Sequence, residues 1–225
     1  MMMEPLSAYY LGVSNIIQDA YYFKLSDDIY IISRQYKTVN INQEIELQRI
    51  KSRLPPENSV TTISNNLLEI LPSVGETLSG EKAIKKKLMY LGYVKKDVRD
   101  LQYEGIHGKA DLITVNGEVA EIKSTFARRA NKLILKGIVE ATLYGTLGIL
   151  SGKLHYPRLY VAVGYLDHDT TKIDNAETHE VDYTAILKKI DIHEVRINIR
   201  DLEVPNNVMT EYKAERIFNC ITRGA

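Results

Sequence analysis

The sequence predicts an α/β protein, with a central mixed β-sheet flanked by helices and a mostly helical N-terminal region before it. Three observations carry that expectation. Segments with apolar residues at helical spacing alternate along the chain with short runs rich in Val, Ile and Tyr, the pattern that layers helices on a sheet. At 225 residues, 44% hydrophobic and 26% charged, the chain is long enough for one core with an appendage or for two small cores. The stretch "GIHGKADLITVNGEVAEIKST", Gly105 to Thr125, reads as a hairpin whose apolar flanks "ADLITV" and "VAEI" suit the middle of a sheet.

Taken in order, the first segment runs from Met1 to about Val74. It predicts a helix around Ser7 to Ala20, a strand "DIYIISRQYKTV", and a helix "NQEIELQRIKSRL" stopped by Pro55 and Pro56. A short helix, "SNNLLEIL", follows up to Pro72. The second segment, residues 75–170, opens with a helix from about Ser79, where Ile84, Leu88 and Leu91 share a face and Gly92 ends it. A strand or extended piece from Tyr93 to Val98 leads into a glycine-bearing loop and the hairpin. Then "FARRANKLILKGIVEATLYGTLGIL" reads as one long helix, with Ser124 or Thr125 available to cap it, and "RLYVAVGYL" as a strand. The last segment, 171–225, completes the core or forms an interface. It holds the rest of the loop "DHDTTKIDNAETHE", a helix at "YTAILKKI", a strand "HEVRINI" and a final helix from about Val208.

Composition excludes several functions. Lys+Arg and Asp+Glu both total 29, so a nucleic-acid role requires locally segregated charge. Such segregation exists: from Ser79 to Lys136 there are 13 Lys/Arg against 7 Asp/Glu. The lone Cys220 rules out an internal disulfide framework and a four-cysteine zinc or iron–sulfur site within one chain. No uninterrupted run of about 18 apolar residues and no secretory leader pattern occur, which predicts an intracellular, cytoplasmic protein with no membrane partner. The absence of a Gly-x-x-x-x-Gly-Lys-Ser/Thr loop disfavours a nucleotide cofactor. The five histidines, at 107, 155, 168, 179 and 193, lack metal-ligand spacing and read as loop or surface residues, though His107 is close enough to Asp111 to approach a phosphate there.

The hairpin carries charges where a sheet centre wants valines. Glu121 and Lys123, two apart on one strand, emerge from the same face. A strict two-residue Asn116-Gly117 turn would leave Asp111 on the other face. A three-residue loop with Gly117 left-handed instead pairs Thr114 with Glu118 and Asp111 with Glu121, gathering all three charges. Two carboxylates about 5 Å apart repel unless a cation intervenes. Magnesium or manganese suits them: such an ion polarises a phosphodiester and lowers the pKa of a bound water. Lys123 on the same face can orient that water or neutralise the charge developing on the phosphate. Taken without that chemistry, the three are ordinary surface charges on a solvent-facing hairpin.

The order Glu81, then Gly108-Lys109-Ala110-Asp111, then Glu121-Ile122-Lys123 resembles the PD-(D/E)XK nuclease superfamily, with alanine in place of the proline. "GEKAIKKKLMYLGYV" is similar to the first helix of archaeal Holliday-junction resolvases, and "AEIKST" to their catalytic strand. Glu140-Ala-Thr-Leu-Tyr144 occupies the place of the Gln-x-x-x-Tyr motif of RecB-type and CRISPR-associated exonucleases, with glutamate for glutamine. The likeness covers about Ser79 to Leu166, and a small nuclease without an iron–sulfur cluster resembles those encoded by archaeal viruses, which would act in the host cytoplasm. It implies a restriction-endonuclease-like core. It also implies Asp111, Glu121, Lys123 and Glu81 as catalytic residues, with Asp111, Glu121, Ile122 and Glu81 holding Mg2+ or Mn2+.

The partner implied is DNA. Lys85, Lys86, Lys87, Lys95 and Lys96 precede the site in sequence. Lys109, Arg128, Arg129, Lys132 and Lys136 flank or follow it and can neutralise phosphates, and the resemblance adds Glu140 and Tyr144 as DNA contacts. The reading is thus a metal-dependent deoxyribonuclease, sequence-nonspecific or selective for structure. A junction resolvase acting as a symmetric homodimer is the rival enzyme. A catalytically silent DNA-binding or assembly protein is the rival outside catalysis, although mutually repelling carboxylates have no reason to persist in it.

Overall fold

A computed structural model describes residues 8–10, 20–47, 54–69, 78–92, 100–126, 131–168, 183–200, 202 and 207–223. Its core is a seven-stranded mixed sheet in the order β1-β2-β3-β9-β8-β7-β6. The strands are β1 (Ala8–Tyr10), β2 (Ala20–Lys24), β3 (Ile29–Leu47), β6 (Leu112–Ile113), β7 (Val119–Thr125), β8 (Leu159–His168) and β9 (Tyr183–Ile199). A separate hairpin joins β4 (Asp100–Tyr103) to β5 (Ile106–Lys109), where a loop was expected. Among the described residues, four helices accompany the sheet: α1 (Val60–Leu68), α2 (Leu78–Tyr90), α3 (Asn131–Leu150) and α4 (Glu211–Arg223).

Among the described strands of the sheet, only β7 and β8 pair in parallel. A parallel pair needs a crossover, and α3 supplies it. The two faces of the sheet then acquire separate cores. On one, Val119, Val161, Val163, Val195 and Ile197 pack with α1, α3 and α4. On the other, Ala120, Ile122, Ala162, Leu187 and Ile192 pack against Ile84 and Leu88 of α2. Odd and even positions of β7 therefore address different helices, as the two-residue strand period requires.

α3 is buried along most of its length, so it is apolar nearly all round. By length and composition alone it could cross a membrane, and here its surface is mostly covered by protein, as in the core helix of a soluble domain.

Three expectations are corrected. The N-terminal region is mostly strand among its described residues, with α1 as its described helix: Ala8–Tyr10 and Ala20, at the ends of the expected first helix, lie in β1 and β2, while 11–19 fall outside the described residues. Asn42 to Leu47, expected in a helix, continue β3, with Ile45 and Leu47 buried and Glu44 and Glu46 exposed. "YTAILKKI" is the first half of β9. Glutamate, leucine and lysine favour helix, but β9 hydrogen-bonds to β3 on one side and β8 on the other, and that pairing overrides local propensity. Register shifts between Asn40 and Gln43, with Asn42 left-handed at φ 60°, also break the strict alternation by which β3 would have been recognised.

The strand "DIYIISRQYKTV", the helices at Leu78–Tyr90 and Glu211–Arg223, and the strand Leu159–His168 stand where the sequence places them, whereas the short helix expected at "SNNLLEIL" starts and ends earlier, at Val60–Leu68, capped by Ser59 and closed by a left-handed Glu69. Ser124 and Thr125 close β7 and do not cap α3, whose described residues begin at Asn131. The expected strand 93–98 and most of the acidic loop, 169–182, lie outside the described residues. The sheet takes β3, β8 and β9 from all three sequence segments and sets them side by side.

Candidate active site

The turn between β6 and β7 decides the site. Thr114 N donates to Glu118 O at 2.8 Å, Leu112 lies opposite Ala120, and Ile113 opposite Val119. Gly117 is left-handed at φ 80°, a conformation that a residue with a Cβ resists. This is the three-residue loop expected from the charge pattern. Continued by one residue, its register sets Asp111 across from Glu121. The backbone N–H of Ile122 donates to Asp111 Oδ2 at 2.7 Å, which fixes the aspartate against β7.

Glu121 and Lys123 share the sheet face that α3 covers. They are not solvated charges: Glu121 is 4% and Lys123 7% exposed, while Asp111 is half-buried and forms the outer edge. Gly137 makes room for this, because a Cβ there would lie 2.6 Å from Val161 Cγ1 and 3.5 Å from Lys123 Cγ. Close approach of α3 places Glu140 one turn further along, 2% exposed and ion-paired with Lys123 Nζ. Lys123 Nζ also donates to Glu121 Oε1 at 3.1 Å. From α1, Ser64 Oγ donates to Glu140 Oε1 at 3.0 Å. Tyr144 is buried on the same helix, within reach of the charges of Glu121, Glu140 and Asp111.

The charges reshape one another. Burial, and then the nearby Asp111 carboxylate, push Glu121 well above the usual carboxylate range. Burial would push Lys123 down, but Glu140 and then Glu121, helped by Glu81 and Asp111, raise it well above the ordinary lysine value. Burial would likewise raise Glu140, yet Lys123 and then Lys136 hold it below its ordinary value. Burial, Glu121 and Glu140 push Tyr144 up, so it remains a neutral phenol. Lys123 is a locked cation between two carboxylates, one of which keeps an unfilled oxygen: Glu121 Oε2 is buried without a hydrogen-bond partner.

That orphan oxygen bears on metal binding. Among the described residues no three His, Cys, Asp or Glu side chains are gathered as a ready-made cage. Magnesium does not need one, since it commonly takes one or two carboxylates and keeps several waters. Glu121 Oε2, the half-buried Asp111 carboxylate and the Ile122 carbonyl, the only ligating atom Ile122 can offer, are a donor set of that hard-oxygen kind. Glu81, in the first turn of α2, is near enough for its charge to act on Lys123. The residues present therefore fit the ion.

Of the expected DNA contacts, Lys109 and Lys132 are exposed. Lys95, Lys96, Arg128 and Arg129 lie outside the described residues. Glu140 and Tyr144 are both buried, and Glu140 is engaged by Lys123 and Ser64. Lys136, grouped with the basic rim, is buried and its charge acts on Glu140. His107 is exposed on β5, whereas His193 is buried in β9, packed edge-on to Tyr21 at 5.8 Å, and not at the surface. Ser64 escaped the sequence reading. A serine inside an amphipathic helix 76 positions before its partner carries no local signal. Comparison of the chain with protein-family models, with curated proteins and with solved structures returns no match.

Proposed function

We propose that the chain is a metal-dependent deoxyribonuclease in which Asp111 and Glu121, with the Ile122 carbonyl, hold Mg2+ or Mn2+, Glu81 assists through water, and Lys123 serves the reacting phosphate. One observation carries the reading. The hairpin register brings two carboxylates and a lysine to one buried face and leaves a carboxylate oxygen of Glu121 unsatisfied there. A fold that needed only stability would fill that position with an apolar side chain, because buried ionic clusters often give way to well-packed hydrophobic residues without loss.

The ion, when bound, supplies Lewis-acid polarisation of a phosphate oxygen and a water acidic enough to give hydroxide near neutral pH. The chain's own groups do the rest. Lys123, held as a cation, is a stabiliser of negative charge developing on the phosphate and not a base. Asp111, at the solvent edge, is where a phosphodiester enters, and exposed Lys109, two residues earlier, neutralises an adjacent phosphate. No base-reading motif accompanies these groups, which supports recognition of backbone, ends or branches.

The test is cleavage of labelled single-stranded, duplex and four-way-junction DNA with Mg2+, Mn2+ or EDTA, by the wild type and Asp111→Ala. Metal-dependent cutting that the variant loses is expected, and preference for the junction would select the dimeric resolvase. Binding without cutting across all substrates and metals would replace the reading with a silent DNA-binding protein.

A further inference from the structure

The ion pair between Lys123 and Glu140 poses a problem that the nuclease reading alone does not resolve. Lys123 Nζ sits on Glu121 Oε1 at 3.1 Å, so the same carboxylate is claimed by a lysine and by the cation proposed above. Were Glu121 the lysine's sole carboxylate, drawing Glu121 toward a divalent ion would strip a buried ammonium of its counter-charge, which is costly. Glu140 removes that conflict. It is anchored without help from the hairpin: α3 is held close to the sheet at Gly137, and Ser64 Oγ on α1 occupies Glu140 Oε1. Its other oxygen is left for Lys123.

We infer that Glu140 is a positioning residue for the metal site: anchored by Ser64, it retains Lys123 so that Glu121 can turn its carboxylate to a divalent cation. The inference rests on the metal-site reading and adds to it a role for residues 19 and 57 positions from the hairpin glutamate. Glutamate suits this work better than glutamine, since only the charged side chain can compete with Glu121 for the ammonium. The ligand is a hard divalent cation, and Glu140 acts on it through its lysine neighbour.

The experiment measures Mn2+ binding to the full chain by titration calorimetry, without DNA, for the wild type, Asp111→Ala, Glu140→Gln, Lys123→Met and the double variant Glu140→Gln/Lys123→Met. Circular dichroism checks that each is folded. Asp111→Ala is expected to abolish binding, and Glu140→Gln to weaken it roughly tenfold or more, the usual range for a residue that orients a metal ligand. In the Lys123→Met background the same glutamine change is expected to cost less than about twofold, because no lysine remains to compete. Unchanged affinity in Glu140→Gln overturns the inference. So does an equal loss in both backgrounds, which would make Glu140 a direct source of field at the ion. If neither the wild type nor Asp111→Ala binds Mn2+, the metal-site reading itself falls, an outcome distinct from the other two. Should Glu140→Gln fail to fold, Ser64→Ala takes its place: it is expected to weaken Mn2+ binding by about two- to fivefold with Lys123 present, below that range because the Glu140 charge is kept and only its anchor is lost, and unchanged affinity there overturns the inference equally.

Discussion

Lys123 and Lys213 are both buried lysines, at 7% and 2% exposure, and the protein treats them in opposite ways. Lys123 lies on β7 between Glu121 and Glu140, and those carboxylates outweigh burial, so its pKa rises well above the ordinary value. Lys213, on α4, donates to the main-chain carbonyl of Val208 at 3.2 Å beside Leu159, Val195 and Met209, and burial lowers its pKa to about 8. At Lys213 burial is the dominant influence, where at Lys123 the carboxylates outweigh it. The contrast separates two settings of a buried amine: one fixed as a cation where negative charge is gathered, the other with its stem in an apolar core and its Nζ on a main-chain carbonyl.

Substitutions at the two sites should differ in sign. Lys123→Ala has the largest expected effect, because it removes the cation that lies between Glu121 and Glu140; a loss of about 3–5 kcal/mol in urea unfolding is expected. A loss below about 1 kcal/mol, the range of exposed pairs, would mean that the cluster is solvated and the contrast false. Gly137→Ala follows. Its Cβ meets Val161 Cγ1, and pushing α3 off the sheet is expected to cost about 1–3 kcal/mol and to loosen the Glu140 contact as well. Hydrogen exchange at Lys123 and Ser124 amides would report that loosening.

Lys213→Met should act in the other direction. With a folded pKa of about 8 against 10.5 for the free side chain, the native state binds fewer protons than the unfolded chain between those values. Its penalty is therefore fully present below pH 8 and fades as pH rises toward 10.5. The methionine variant is expected to be more stable by about 1–3 kcal/mol at pH 7, with the gain shrinking by pH 10 in thermal melts. Lys123 has the reverse slope: its stabilisation is full below 10.5 and is lost only as pH climbs through its raised folded value. Parallel pH dependences for Lys213→Met and a Lys123 variant would break the comparison. The smallest effect is expected at Gly117→Ala, about 1 kcal/mol from strain at a positive φ, measured by the same unfolding curves.

The hairpin was legible because its chemistry is local. Asn116-Gly117, the alternation of Leu112, Glu121 and Lys123, and the repulsion of like charges all lie within about a dozen residues, and turn geometry then fixes which side chains share a face. The β3–β9 ribbon was not legible. "QEIEL" and "AILKK" are good helix formers, and what makes them strands is each other, about 140 positions apart in the register that sets Ile45 across from Ala185.

By itself, then, the sequence determined the α/β class, the helices at Leu78–Tyr90 and Glu211–Arg223, and the grouping of Asp111, Glu121 and Lys123, each a matter of short-range periodicity or turn conformation. Tertiary structure alone decided that Glu140 and Ser64 belong to that group and that Lys136 and His193 are interior. The physical reason is desolvation. Whether a charge is a surface ornament or a locked counter-ion depends on which helix covers it, and α3 covers this one only because Gly137 and the parallel β7–β8 pair draw it down onto the sheet.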